Sequence, residues 1–189
     1  MKIFLFLGLI AAVYSQAARR CETPKQWEAV IIRHDHTDDF SSRAKLSYDA
    51  FGERSRETET VYMNGKEAFY DILRLHKERV EFVVDIRTKK CERRELTYPF
   101  RPFEIPENAR SYGEAYIGGS LLGSGVLINQ WEANMPNDAK WTGQWAIDGC
   151  IPVYDHYWHN YVNYTSYHFY DVTLGISDPN VFIPPSTCK

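Results

Sequence analysis

The sequence predicts a mostly β protein, either an antiparallel sandwich or a curved half-barrel. Apolar and polar residues alternate over short runs, the period that places every second side chain on one face of a strand. Glycine, proline and asparagine separate those runs at turn spacings. Aromatic residues make up 15% of the chain, with 13 Tyr and 5 Trp, and such side chains suit a pleated, half-buried surface.

The elements follow in order. Residues 27–33 (WEAVIIR) are β-branched and short. Residues 43–51 (RAKLSYDAF) alternate, with Ala44, Leu46, Tyr48 and Ala50 on one face, and Gly52 turns the chain into a hairpin partner at residues 57–63. Asn64-Gly65 is a strong turn signal. Residues 68–76 (AFYDILRLH) carry both helical spacing and alternation. The charged turn at 77–79 and the clean alternation of residues 80–86 (VEFVVDI) favour a strand there. Residues 98–110 (YPFRPFEIPENAR) are interrupted by proline and cannot be regular sheet. A flexible GSLLGSG precedes strands at 126–133 and 141–147, and two aromatic-rich strands end the run at 150–158 and 164–174. About ten strands result, with no repeat and no interdomain linker, so residues 18–189 read as one domain.

The first residues, MKIFLFLGLIAAVYSQA, place Lys2 before an apolar run and end on Ser15 and Ala17, the pattern of a signal peptide over residues 1–17. The expected destination is outside the cell, with lysosomal delivery as a variant. Four cysteines, Cys21, Cys91, Cys150 and Cys188, then imply two disulfides with three pairings open. Asn163-Tyr164-Thr165 is a glycosylation sequon. A net charge of −3 without a basic run argues against a nucleic-acid partner.

A search for catalytic chemistry returns little. GGSLLGSG has Leu122 where a nucleophile elbow needs another pattern, and it lacks the Gly-Lys ending of a P-loop. In RHDHTDD, His34 and His36 would share a strand face as metal ligands do, with Asp35, Asp38 and Asp39 nearby. The position beyond a strand makes a solvated loop the default reading. What stands out is the aromatic load: Trp27, Trp131, Trp141, Trp145 and Trp158 with Tyr and Phe between them. It is compatible with a cavity inside an open barrel, or with exposed rings that stack on sugars.

CETPKQWEA, KLSYDAFGERSRETE, KKCERRELTYPFRPFEIPENA, VLINQWE, CIPV and DVTLGISDPNVFIPPSTC occur in the order seen in ependymin-related proteins. The chain resembles that secreted family, close to its mammalian ependymin-related branch, from Cys21 to Cys188. The resemblance implies two stacked, curved antiparallel sheets around a deep hydrophobic pocket, similar to LolA-type carriers. It implies a lipid or other hydrophobic ligand, a homodimer, calcium association, glycosylation at Asn163 and no catalysis. It also implies the pairs Cys21 with Cys150 and Cys91 with Cys188, the second holding Phe182 and Ile183 against the sheet. A third cysteine pair found in mammalian members is missing. The leading expectation is a non-enzymatic carrier whose pocket is lined by Tyr48, Phe82, Val84, Trp131, Trp145, Phe169 and Phe182. The alternative is an extracellular matrix or adhesion glycoprotein that makes calcium-dependent glycan or collagen contacts.

Overall fold

The computed structural model describes residues 18–37, 39–159 and 163–188. The signal peptide expected at 1–17 and Asp38 lie outside them, as does the side chain of Asn163. Eleven strands form: β1 (Gln26–Asp35), β2 (Phe40–Asp49), β3 (Arg54–Met63), β4 (Lys66–Leu75), β5 (Val80–Asp85), β6 (Cys91–Glu95), β7 (Arg110–Gly118), β8 (Gly125–Asn134), β9 (Lys140–Ala146), β10 (Pro152–His159) and β11 (Asn163–Leu174). Residues 68–75 of the stretch ambiguous by pattern are strand and His76 begins the turn, while β6 arises from a charged stretch without alternation. Neighbouring β5 supplies its backbone partners, pairing Val84 with Cys91 and Val80 with Glu95.

The strands join in one antiparallel sheet in the order β6-β5-β4-β3-β2-β1-β11-β10-β9-β8-β7. The resemblance implies two stacked sheets; here hydrogen bonding continues through the β1–β11 pair, so the two halves are one sheet. Each half is a meander with short turns. Asn64 and Gly65 both take positive φ (51° and 70°), the pair of values a two-residue type I′ hairpin needs. At the β2–β3 turn, Asp49 accepts from the Gly52 N–H at 3.1 Å and from Arg54 Nε at 2.7 Å.

This topology puts β6 and β7, consecutive in sequence, at opposite edges. Their connection, residues 96–109, must therefore cross a whole face. The edges of a flat sheet of this width would be about 48 Å apart, since strands lie roughly 4.8 Å from one another. Fully extended, the connection reaches only about 50 Å. It is not extended: it turns at Pro106–Ala109 and buries Leu96 and Ile105. The sheet must curve to bring its edges within reach, and the curvature makes the crossed face the inner one.

Strand registry sorts the side chains. Trp27 opposes Tyr48, Ala29 opposes Leu46 and Ile31 opposes both Ala44 and Phe169, all on the inner face. Trp27, Ile31, Leu46, Tyr48 and Phe169 form one core cluster there, with Phe100 and Phe103 of the crossing loop packed onto it. Trp131, Trp141 and Trp145 form a second inner cluster with Ile105 and Cys150. The third lies on the outer face: Leu73, Val80 and Phe82 receive Phe182 from a 3₁₀ turn at Pro179–Phe182.

Disulfides tie both ends of the chain. Cys21 pairs with Cys150 and Cys91 with Cys188. Arg56 secures the tail further by donating to the Val181 carbonyl at 2.7 Å while forking onto Asp71 at 2.7 and 2.6 Å. Phe182 is buried as expected, but Ile183 is 58% exposed. The chain leaves the 3₁₀ turn in an extended conformation at Ile183, so only the first of the two side chains reaches the sheet.

Candidate functional site

Several recesses open on the surface among the described residues, and three of them bear on the site. One of about 530 Å³ at the β7–β9 edge is lined largely by exposed polar groups, among them Asn108, Arg110 and Lys140. One of about 600 Å³ lies on the inner face near the Asn64-Gly65 turn, over Val61, Ile72 and Val83. The third, about 410 Å³, lies between the inner face and the crossing loop. Its volume falls within the roughly 300–1,000 Å³ typical of small-molecule sites, and it has both a floor and a roof.

Strand period builds the floor. Leu46 and Tyr48 point inward from β2, and registry places Glu57 and Ser55 of β3 beside them. Arg74 follows opposite Ser55 on β4, and Arg33 enters from β1. The roof is the proline-rich loop, with Tyr98, Phe100 and Phe103; Tyr157 and Tyr167 close the side. The Tyr48 hydroxyl accepts from the Phe103 N–H at 3.2 Å, and the Tyr48 ring stacks on Phe100 with centroids 5.7 Å apart. Arg101 pairs with fully buried Asp155, whose other oxygen accepts from Trp141 Nε1 at 2.7 Å. That pair fastens the roof to the second inner cluster.

The floor also holds a row of buried charges. Arg74 Nη1 donates to Glu57 Oε1 at 2.6 Å, and Arg33 Nη2 donates to Glu59 Oε2 at 3.0 Å. Arg33 also sits 3.8 Å from Glu57 Oε2, and Arg74 Nε sits 3.8 Å from Glu81. Burial opposes ionisation of Glu57, but the Arg74 and Arg33 guanidiniums outweigh it and hold the carboxyl below its usual value. Glu59 goes the other way: burial raises it, Arg33 offsets only part, and the neighbouring Glu57 charge adds to the rise. Burial pushes His76 down and Tyr48 up.

The candidate lining residues are spread over the whole molecule. Tyr48 lines the cavity, and Phe169 belongs to the core cluster beneath it. Trp131 and Trp145 pack in the second inner cluster. Phe82 and Phe182 pack on the outer face, which Val84 shares through its pairing opposite Asp71 and Cys91. Alternation marked the strand residues among them as buried without telling one face from the other, and Phe182 stood out only by its apolar run. The residues that sequence reasoning passed over, Arg33, Glu57 and Arg74, are charged groups at inward positions of their strands. An inward parity of charge was the signal available. His34 lies within β1, its ring 6.0 Å from that of His36 and 6.3 Å from that of His168. Among the described residues no group of three or more His, Cys, Asp or Glu is arranged to hold a metal ion.

The ependymin family model matches residues 64–188. Over 191 aligned residues the chain is 31% identical to mammalian ependymin-related protein 1 of Rattus norvegicus, covering 99% of this chain and 84% of that one. The chain belongs to the ependymin family. Among solved structures, the chain matches an uncharacterized conserved protein from Thermus thermophilus with a TM-score of 0.54. That match has 8% identity and covers 86% of each chain, a likeness of fold. A putative outer membrane lipoprotein-sorting protein domain from Vibrio parahaemolyticus matches at a TM-score of 0.36 and 9% identity, covering 84% of this chain and 89% of that one. Among its described residues, no helix is long and apolar enough to cross a membrane.

Proposed function

We propose that this protein is a secreted, non-enzymatic carrier that holds a hydrophobic or amphipathic, lipid-like ligand between the inner face and the crossing loop. The observation that supports this reading is the 410 Å³ cavity itself: Leu46, Tyr48, Phe100 and Phe103 surround it, yet leave it unfilled. A half-closed recess with an aromatic roof and a floor part apolar, part charged suits an amphipathic guest. An acyl chain entering it would contribute about 0.8 kcal/mol per CH₂ removed from water, enough for micromolar affinity without a directed contact.

Calcium association, a homodimer and delivery outside the cell or to lysosomes complete the proposal. With no cluster of three or more His, Cys, Asp or Glu arranged to hold a metal ion among the described residues, calcium would draw on backbone and amide oxygens as well as carboxylates. The adhesion reading draws on the 530 Å³ edge recess, where Tyr112 and Trp158 present ring faces beside Arg110 and Lys140, a surface on which sugars could stack. Native mass spectrometry of the secreted protein, followed by organic extraction, tests the first reading. A near-stoichiometric co-purifying lipid is expected, and Phe100→Asp should abolish uptake of Nile red while leaving the circular dichroism unchanged. An empty protein that ignores such probes would remove the carrier reading and leave chelator-sensitive glycan or collagen binding to be measured. The same spectra, with and without chelator, report the dimer and bound calcium.

A further inference from the structure

Among the described residues, eight buried side-chain polar atoms have no hydrogen-bond partner, and four belong to residues lining the cavity beneath the crossing loop. They are Arg33 Nε, Glu57 Oε2, Arg74 Nε and His76 Nδ1. Leaving a buried polar atom without a partner forfeits its hydration with nothing in return, so such atoms are normally paired. All four are closed to solvent in this conformation, and Glu57 Oε2 and Arg74 Nε lie 3.8 Å from Arg33 and Glu81, too far to hydrogen-bond, so a guest completes the set once these side chains shift toward it. The set is mixed: two guanidinium N–H groups donate, the Glu57 oxygen accepts, and the imidazole nitrogen can do either.

The charges are already matched. Arg33 and Arg74 both pair with Glu57, and their remaining contacts go to Glu59 and Glu81. Arg101, the other cation lining the cavity, is held by Asp155. An incoming carboxylate or phosphate would face the Glu57 carboxylate and would have to compete for arginines already engaged. A cation would face two N–H donors. An added net charge would also have to shed its water in a half-closed cavity.

Resting on the carrier reading of this same cavity, we propose that it selects an amphiphile with an uncharged, multiply hydrogen-bonding head. A monoacylglycerol has such a head; a fatty-acid anion and a cationic lipid do not. The head sits over Glu57 between Arg33 and Arg74, where hydroxyls donate to the carboxylate and accept from the two Nε–H groups. The chain runs under Phe100 and Phe103.

The test is displacement of Nile red from the full mature protein by amphiphiles of one chain length, each below its aggregation concentration: 1-monolauroylglycerol, laurate and dodecyltrimethylammonium. The monoacylglycerol should bind about tenfold or more tightly than either charged analogue, the gain expected from one or two well-made hydrogen bonds plus the avoided charge burial. Glu57→Gln should narrow that preference toward laurate, because it removes the negative charge between two arginines. The wild-type series stands even where that variant folds poorly. Equal or tighter binding of laurate or the cation would overturn the head-group inference while leaving a hydrophobic carrier intact. Failure of Nile red itself to bind would remove both.

Discussion

The two ends of the inner face share one sheet, one period and one crossing loop, yet they solve the packing problem in opposite ways. At β8–β10 the inward positions carry Trp131, Trp141 and Trp145, and the last two rings lie 5.4 Å apart with almost no exposure. Gly143 lies between them in the sequence, and a Cβ there would fall 2.2 Å from the Trp145 ring and 2.5 Å from the Trp141 ring. At β1–β4 the inward positions next to Tyr48 carry Arg33, Glu57, Glu59 and Arg74. Charged side chains must satisfy each other's geometry before they fill space, so this end is left hollow. Burial alone does not make a binding site. A cavity forms where inward residues are committed to one another rather than to volume.

Breaking the filled end should produce the largest effect. Trp145→Ala removes a fully buried ring and is expected to cost about 3–5 kcal/mol in urea unfolding, with Nile red affinity unchanged in the folded fraction. A cost below ~1 kcal/mol would show that the tryptophan cluster is not close-packed. Next, Gly143→Ala should cost about 1–3 kcal/mol, because the added methyl meets ring atoms on both sides. A neutral result would mean that the rings have room to move.

The hollow end is better probed by pH than by size. Glu57 is held below its usual value, so its contribution is present above about pH 4.5 and is lost as the pH falls through its lowered folded value. Glu59 is raised, so its contribution is present below pH 4.5 and is lost as the pH rises through its folded value. Glu57→Gln should therefore cost about 3 kcal/mol at pH 7 and progressively less on acidification, since it leaves two buried arginines short of a partner. Glu59→Gln should cost less than about 1 kcal/mol at pH 7, with a difference from wild type that becomes more favourable as the pH rises from 3.5 to 7. Urea titrations of both variants across that range check the opposite slopes. Slopes of the same sign would mean that the two carboxylates respond as one charge.

Much of the fold was legible because strands announce themselves locally. The alternation of Ala44, Leu46 and Tyr48, the Asn64-Gly65 turn and the prolines of the crossing loop each act over a few residues. β6 escaped because its residues carry no alternation; it is a strand only because β5 offers it an edge. The site was less legible. Phe82 and Phe169 look alike in sequence, yet they lie on opposite faces of one sheet, and only strand registry and the path of the crossing loop decide which face is enclosed.

By itself, the sequence determined the class of structure, the turns, the cysteine inventory and the family, since these rest on residue type and on spacing along the chain. Tertiary structure decided that β1 would pair with β11 to make one sheet, that a crossing loop with a turn in it would require that sheet to curve, and that Arg33, Glu57 and Arg74 from β1, β3 and β4 would meet under that loop. Those outcomes depend on contacts between residues far apart in sequence, whose closure entropy and mutual desolvation no local pattern records.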